Sequence, residues 1–205
     1  MVPSYWTQAA HELSVSDPLM AELVAQYPGV SLVSRGDPFC TLARSIVGQQ
    51  ISVKAADSVW SRFVGAVGEV TPARVAELGR EGLEGCGLSK RKIEYLDDLA
   101  GHFLSGQLAP ASWAAHGDEA IIGELVAVRG IGRWTAEMFL IFNLMRPDVF
   151  PLDDIGLQRA IFLRYFNGEK QPRRALSAFG ERWRPWRSVA TWYLWRSLDP
   201  VPVAY

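Results

Sequence analysis

The sequence has little cysteine, little histidine and no long apolar run. Its two cysteines, Cys40 and Cys86, and three histidines, His11, His102 and His116, stand at spacings that form neither a zinc nor an iron–sulfur ligand pattern. The two thiols could pair, but a reducing compartment makes two free, buried thiols the expected state. No stretch reaches the about 20 apolar residues that a membrane span needs. The N-terminus also lacks a basic segment followed by an apolar one. A disulfide scaffold and a membrane partner are therefore excluded, and a cytoplasmic location is expected.

Net charge of one sign is lacking as well: the formal charge is −1 at pH 7. Phosphate contacts dominate nucleic-acid binding, so this balance argues at first against such a partner. The distribution says more than the sum. The segment 173–196 carries Arg173, Arg174, Arg182, Arg184, Arg187 and Arg196 against one acid, Glu181. Ser89-Lys90-Arg91-Lys92 is a second basic cluster. Ordinary solvated faces account for such clusters about as well.

Strand signals are missing too, whereas helix signals recur. Asp17-Pro18, Asp37-Pro38 and Thr71-Pro72 each read as a cap followed by proline at the first helical position. Ser52 and Ser89 precede two more helical stretches. The spacing predicts helices over 18–27, 38–48, 53–66, 72–79, 90–105, 118–128, 133–144, 155–165, 173–181 and 186–197, with a short one over 5–12. In 90–105, Ile93, Leu96, Leu99 and Phe103 share one face. Hydrophobic residues make up 49% of 205, enough for a sizeable core, and no linker or repeat divides the chain. The fold class is all-α, in a single unit of one domain or two intimate lobes.

Most informative is the run from Leu125 to Ala136, in which an apolar helix meets Gly130-Ile131-Gly132 and a second helix starts at once. Two glycines allow a tight turn and leave main-chain N–H groups uncovered. A helix N-terminus adds partial positive charge, and the two together make a phosphate cradle. Ile131 would plug the space between the helices. A lone Gly-x-Gly is only a turn; the full pattern resembles the helix-hairpin-helix element of DNA repair proteins. Downstream, an apolar extended segment delivers Asp153 and Asp154 to the start of another helix. By themselves, acids there read as helix caps.

Hairpin, extended segment, Asp154 and Arg159 in this order resemble the superfamily that includes endonuclease III and the 3-methyladenine DNA glycosylase II family. Ser45-Ile46-Val47-Gly48-Gln49-Gln50-Ile51-Ser52 resembles the family's Gln-Gln-x-Ser loop, and Gly87-Leu88-Ser89-Lys90-Arg91-Lys92 its Gly-Leu-x-x-x-Lys turn. Arg182-Trp183-Arg184-Pro185-Trp186-Arg187-Ser188 resembles the ending of the 3-methyladenine glycosylase II group. The resemblance covers about residues 35–198.

It implies a two-lobed helical fold with the active site in a cleft. The approximate lobes are 31–149, with the hairpin at 118–144, and 1–30 plus 150–205. It implies a DNA glycosylase, with Asp154 as the catalytic carboxylate and Asp153 as its capping neighbour. DNA contacts are implied for Gln49, Gln50, Arg129, Gly130, Ile131, Gly132, Arg133, Thr135 and Lys90. Gln50 would fill the gap left by an extruded base. Trp134, Trp195 and Met138 are implied as the base pocket. Some relatives carry an extra N-terminal β-domain, for which this chain is expected to be too short.

An alkylated base such as 3-methyladenine is cationic and leaves readily, so one carboxylate suffices for the chemistry. Aromatic faces suit a cationic base. Bifunctional members carry a lysine at position 134 to form a Schiff base. Trp134 stands there instead, so a hydrolase without lyase activity, leaving an abasic site, is expected. No cofactor and no iron–sulfur cluster are expected. The family's monovalent cation, Na+ or K+, would sit on the main-chain carbonyls of Val126, Val128 and Ile131. The expected partner is double-stranded DNA with damaged bases. The expected state is a monomer, and the location the nucleoid if the source is bacterial. Two alternatives stay open: a glycosylase for another damaged base, or a non-catalytic DNA-binding module using the same hairpin.

Overall fold

The structure, a computed structural model, describes residues 2–198. Among them the chain forms helices and connections, and no strand. In order these are α1 (Trp6–Ser16), α2 (Pro18–Gln26), α3 (Pro38–Gly48), α4 (Val53–Val67), α5 (Pro72–Glu84), α6 (Lys90–Leu104), α7 (Asp118–Val126), α8 (Arg133–Phe142), α9 (Ile155–Tyr165), α10 (Arg173–Gly180) and α11 (Arg187–Leu198). Short 3-10 turns occupy Pro110–Ala115 and Glu181–Trp183. No helix among the described residues is long and apolar enough to cross a membrane.

Short polar side chains start the helices at the positions the sequence marks. Asp17, Asp37, Ser52, Thr71 and Ser89 each accept a main-chain N–H from the first turn of α2, α3, α4, α5 and α6. Such caps contribute about 1 kcal/mol each. Some ends differ from expectation. α5 continues past Gly79, whose φ of 62° and ψ of −176° break the helix without stopping it. α7 and α8 end at Val126 and Phe142. α1 is longer than expected because Trp6, Ala9, Ala10 and Leu13 bury one continuous face. The turn Pro110–Ala115 has no periodicity to announce it. It is held by Trp113, buried to 1% exposure, whose indole N–H donates to Glu124 at 2.7 Å.

The chain divides into two compact units, residues 35–139 and residues 2–34 with 140–198 of the described chain. The division falls inside α8, whereas the sequence suggested 30/31 and 149/150; residues 199–205 of the expected second lobe lie outside the described residues. In the first unit α3 packs on α4 and α6, and α5 packs on α4 and α6. Its core contains Phe39, Leu42, Ile46, Phe63, Leu83, Leu96 and Leu99. Burying each such side chain contributes about 1.5–3 kcal/mol. In the second unit α11 packs on α1, α2 and α9. There Asp17 is buried, and besides capping α2 it accepts the Tyr165 hydroxyl at 2.8 Å and the Trp183 indole N–H at 3.1 Å. A buried carboxylate is tolerated because these donors replace its water.

Candidate active site and nucleic-acid interface

The residues singled out in the sequence fall into two groups, one in each unit. The first group surrounds the hairpin. α7 ends at Val126, residues 127–132 turn, and α8 begins at Arg133. Gly130 takes φ +84°, a region that side chains avoid. A Cβ there would also run into the Tyr95 ring. Gly132 has an ordinary φ and open space beside it. Ile131 is buried as the plug, with 3% exposure. The Arg129 N–H donates to Asp98 at 2.8 Å.

The Gln-Gln loop lies against the same turn. The Gln49 amide donates to the Gly130 carbonyl at 2.8 Å, and the Lys92 ammonium donates to the carbonyls of Val47 and Gln49, both at 2.8 Å. Burial pulls Lys92 below the usual lysine range. Gln50 is exposed and left-handed, with φ +59°. A non-glycine residue in that region is uncommon and marks a site worth explaining.

Several residues implied as DNA contacts or as base pocket are placed differently from a free surface. Arg133 is tied to Glu119 at 2.5 Å and to Glu137 at 3.0 Å. Thr135 and Met138 are buried, and Trp134 is half-buried on the first turn of α8. Lys90 is exposed at the start of α6, so within the Gly-Leu-x-x-x-Lys turn it is Lys92 that reaches the loop. Lys92 is the lysine that ends that motif, whereas Tyr95 and Asp98 carry no sequence signal beyond their spacing of three from it on one helix.

The second group surrounds Asp154, which is 5% exposed. It is itself the N-cap of α9, because its Oδ1 accepts the Leu157 N–H at 2.6 Å. Asp153, expected as the cap, instead is exposed and pairs with Arg173. The Trp195 indole N–H donates to the same Asp154 Oδ1 at 2.8 Å. Two N–H donors and a helix N-terminus stabilise negative charge on this carboxylate. The Trp195 ring stacks on Phe142, with centroids 5.7 Å apart and planes 10° from parallel. Gly156 makes this packing possible. A Cβ there would stand 3.1 Å from Asp154 Oδ1 and 3.4 Å from the Trp195 ring.

The segment leading to Asp154 is pinned from α11. Val149 N–H donates to the Ser188 hydroxyl at 2.9 Å, and Ser188 N–H to the Pro147 carbonyl at 3.0 Å. Arg187 grips Asp148 through Nε at 2.7 Å and Nη2 at 3.0 Å. Most of the C-terminal arginines thus have partners within the protein, although Arg173, Arg174, Arg182 and Arg184 are exposed. Arg184 pairs with Glu181, Arg182 lies 3.9 Å over Phe179, and Arg196 lies 4.7 Å over Trp192. The charge run in the sequence is explained mostly by framework contacts.

A helical chain that joins a glycine-turned hairpin to a buried, indole-bonded aspartate at the next helix start defines a helix-hairpin-helix DNA repair protein. The chain belongs to the HhH-GPD superfamily of base excision DNA repair proteins, which it matches over residues 43–185. It is 34% identical to the DNA-3-methyladenine glycosidase of Bacillus halodurans, with a TM-score of 0.88 over 97% of this chain and 93% of that one. The Schizosaccharomyces pombe 3-methyladenine DNA glycosylase, solved with abasic DNA, is 30% identical, with a TM-score of 0.77 over 96% of this chain and 100% of that one. A DNA-3-methyladenine glycosylase of Bacillus subtilis is 30% identical over 92% of this chain, which spans 66% of that relative's length.

Proposed function

We propose that this chain is a monofunctional DNA glycosylase that extrudes an alkylated base of the 3-methyladenine type from duplex DNA and hydrolyses its N-glycosidic bond. The observation that carries the reading is the Asp154 carboxylate, buried at the α9 N-terminus with two N–H donors on one oxygen. Extrusion from the stack costs a few kcal/mol. Gln50, exposed at the tip of its loop, would enter the space the base leaves, and the hairpin N–H groups would hold the backbone phosphate.

In the reaction the C1′–N bond breaks, and its electron pair leaves with the base, which becomes neutral. Asp154 stabilises the positive charge that develops on the sugar and orients the water that adds to C1′. The water proton passes by way of Asp154 to solvent. A cationic base is held against electron-rich rings, and beside Asp154 the candidate is Trp195 stacked on Phe142. Trp134 has no amine with which to attack C1′, so the product is an intact strand with an abasic site.

The carbonyls of Val126, Val128 and Ile131 fit the family's monovalent cation. No hydrogen bond among the described residues ends on the first or third, and the second accepts only the Ile131 N–H. Carbonyl oxygens suit a hard ion, which would supply positive charge beside the phosphate. The chain would act as a monomer.

The test is base release from methylated duplex DNA by wild type and Asp154→Asn, with borohydride trapping alongside. Wild type should release methylated purines, and the variant should lose roughly two orders of magnitude or more, as for loss of a principal charge-stabilising group. Equal release by the two would reject Asp154, and a trapped covalent complex would reject the monofunctional reading.

A further inference from the structure

α3 ends in an unusual way. Gln49 is its C-cap, and the chain then passes through a left-handed Gln50 without a glycine. Carbonyls at a helix end need donors, and glycine-based turns commonly bring main-chain N–H groups to them. Here a side chain from another helix does so. The Lys92 ammonium takes the carbonyls of Val47 and Gln49, placing a positive charge at the negative end of α3. The side chain of that same Gln49 reaches the Gly130 carbonyl inside the hairpin turn.

The hairpin is braced from the same helix. Tyr95, one turn beyond Lys92, lies beneath Gly130. Asp98, three residues further, takes the Arg129 N–H. Residues three apart on a helix share a face. One face of α6 therefore holds both the loop that carries Gln50 and the turn that carries the hairpin N–H groups, with Gln49 bonded across from one to the other.

We propose that Lys92 is a positioning residue for base extrusion, and that it acts with Gln49 to hold the Gln50 loop ready against the hairpin. This rests on the glycosylase reading above. Lys92 touches no reacting atom in this scheme. It acts on how often the loop stands ready for Gln50 to fill the vacated stack. Loss of its two bonds lowers the ready fraction, and extrusion slows in proportion. Once a base is already unpaired, the same loss matters little, because there is less for the wedge to do.

The experiment compares two duplexes under single-turnover conditions. One carries the methylated purine in a normal pair, and the other carries it opposite an abasic analogue, where no pair has to be broken. The proteins are wild type, Lys92→Met, Lys92→Arg and Gln49→Leu. Lys92→Met should lose about tenfold or more on the paired lesion, consistent with a readiness equilibrium shifted by the two lost bonds. It should recover to within about threefold of wild type on the unpaired one, by the same population argument. Lys92→Arg, which keeps the charge and donors, should regain part of the loss.

Gln49→Leu should show the same selective pattern, and it carries the test if Lys92→Met does not fold. Equal loss on both duplexes would mean a general structural role and overturn the proposal. No loss on either would overturn it as well. A wild type that releases base from neither duplex would remove the glycosylase reading, and this inference with it.

Discussion

Asp153 and Asp154 are adjacent, chemically alike and both at the start of α9, yet their surroundings differ. Asp153 faces solvent and Arg173, whereas Asp154 is buried under two N–H donors. The family resemblance favoured Asp154; by themselves the two acids read alike as helix caps. Nothing in the sequence showed that Asp154 is also the cap, or that the donor is the indole of Trp195. That pair is 41 residues apart in the chain, and only folding brings it together. Trp195→Phe keeps a ring against Phe142 and deletes the N–H donor. Base release should fall by roughly ten- to a hundredfold, as for a charge-assisted hydrogen bond of about 1.5–3 kcal/mol, and the melting temperature by several degrees. Unchanged release would show that the indole bond does not support the carboxylate.

At the scale of elements, the hairpin was legible because its two glycines interrupt an apolar helical pattern. The sequence treats those glycines alike, and the structure separates them. Gly130 is left-handed over the Tyr95 ring, while Gly132 is unstrained with open space beside it. Gly130→Ala should therefore destabilise the protein by about 1–3 kcal/mol, from backbone strain and steric conflict. Gly132→Ala should leave the urea midpoint nearly unchanged and, if the hairpin N–H groups hold phosphate as proposed, weaken duplex binding, because its Cβ would cover them. Equal destabilisation by the two, read from urea melts, would contradict this division. Helix starts were equally legible, since a cap is a local interaction. The 3-10 turn at Pro110–Ala115 was not, because it is held by the distant Glu124.

For the molecule as a whole, three tyrosines of the unit that carries Asp154 should make stability fall at alkaline pH. Burial pushes Tyr5 up to about 12, and it raises Tyr165 and Tyr193 as well. Tyr165 is raised further by its bond to Asp17. Each native pKa lies above the unfolded value of 10.0, so the stabilisation is full below pH 10 and is lost as pH rises through the native values. Urea midpoints should be flat with respect to these groups from pH 8 to near 10 and fall above it, and Tyr165→Phe should make that fall shallower. Asp17→Ala should cost about 3–5 kcal/mol at neutral pH, because it strands the Tyr165 hydroxyl and the Trp183 indole N–H. A cost below about 1 kcal/mol, the worth of a cap alone, would show that the hub is not structural.

The sequence by itself determined the helical class, most helix starts, the hairpin and the candidate aspartate. Caps, periodicity and glycine-turned motifs act over a few residues, so they can be read in one dimension. Only the tertiary structure decided which acid is buried, which lysine reaches the Gln-Gln loop, and that most of the C-terminal arginines serve the framework. Those outcomes depend on partners distant in the chain, such as Trp195 for Asp154, Val47 for Lys92 and Asp148 for Arg187. The physical reason is that burial and pairing are properties of surroundings, which residue type and local spacing do not specify. The aspartate picked out by its place after the hairpin is thereby resolved into a carboxylate held by a helix end and an indole.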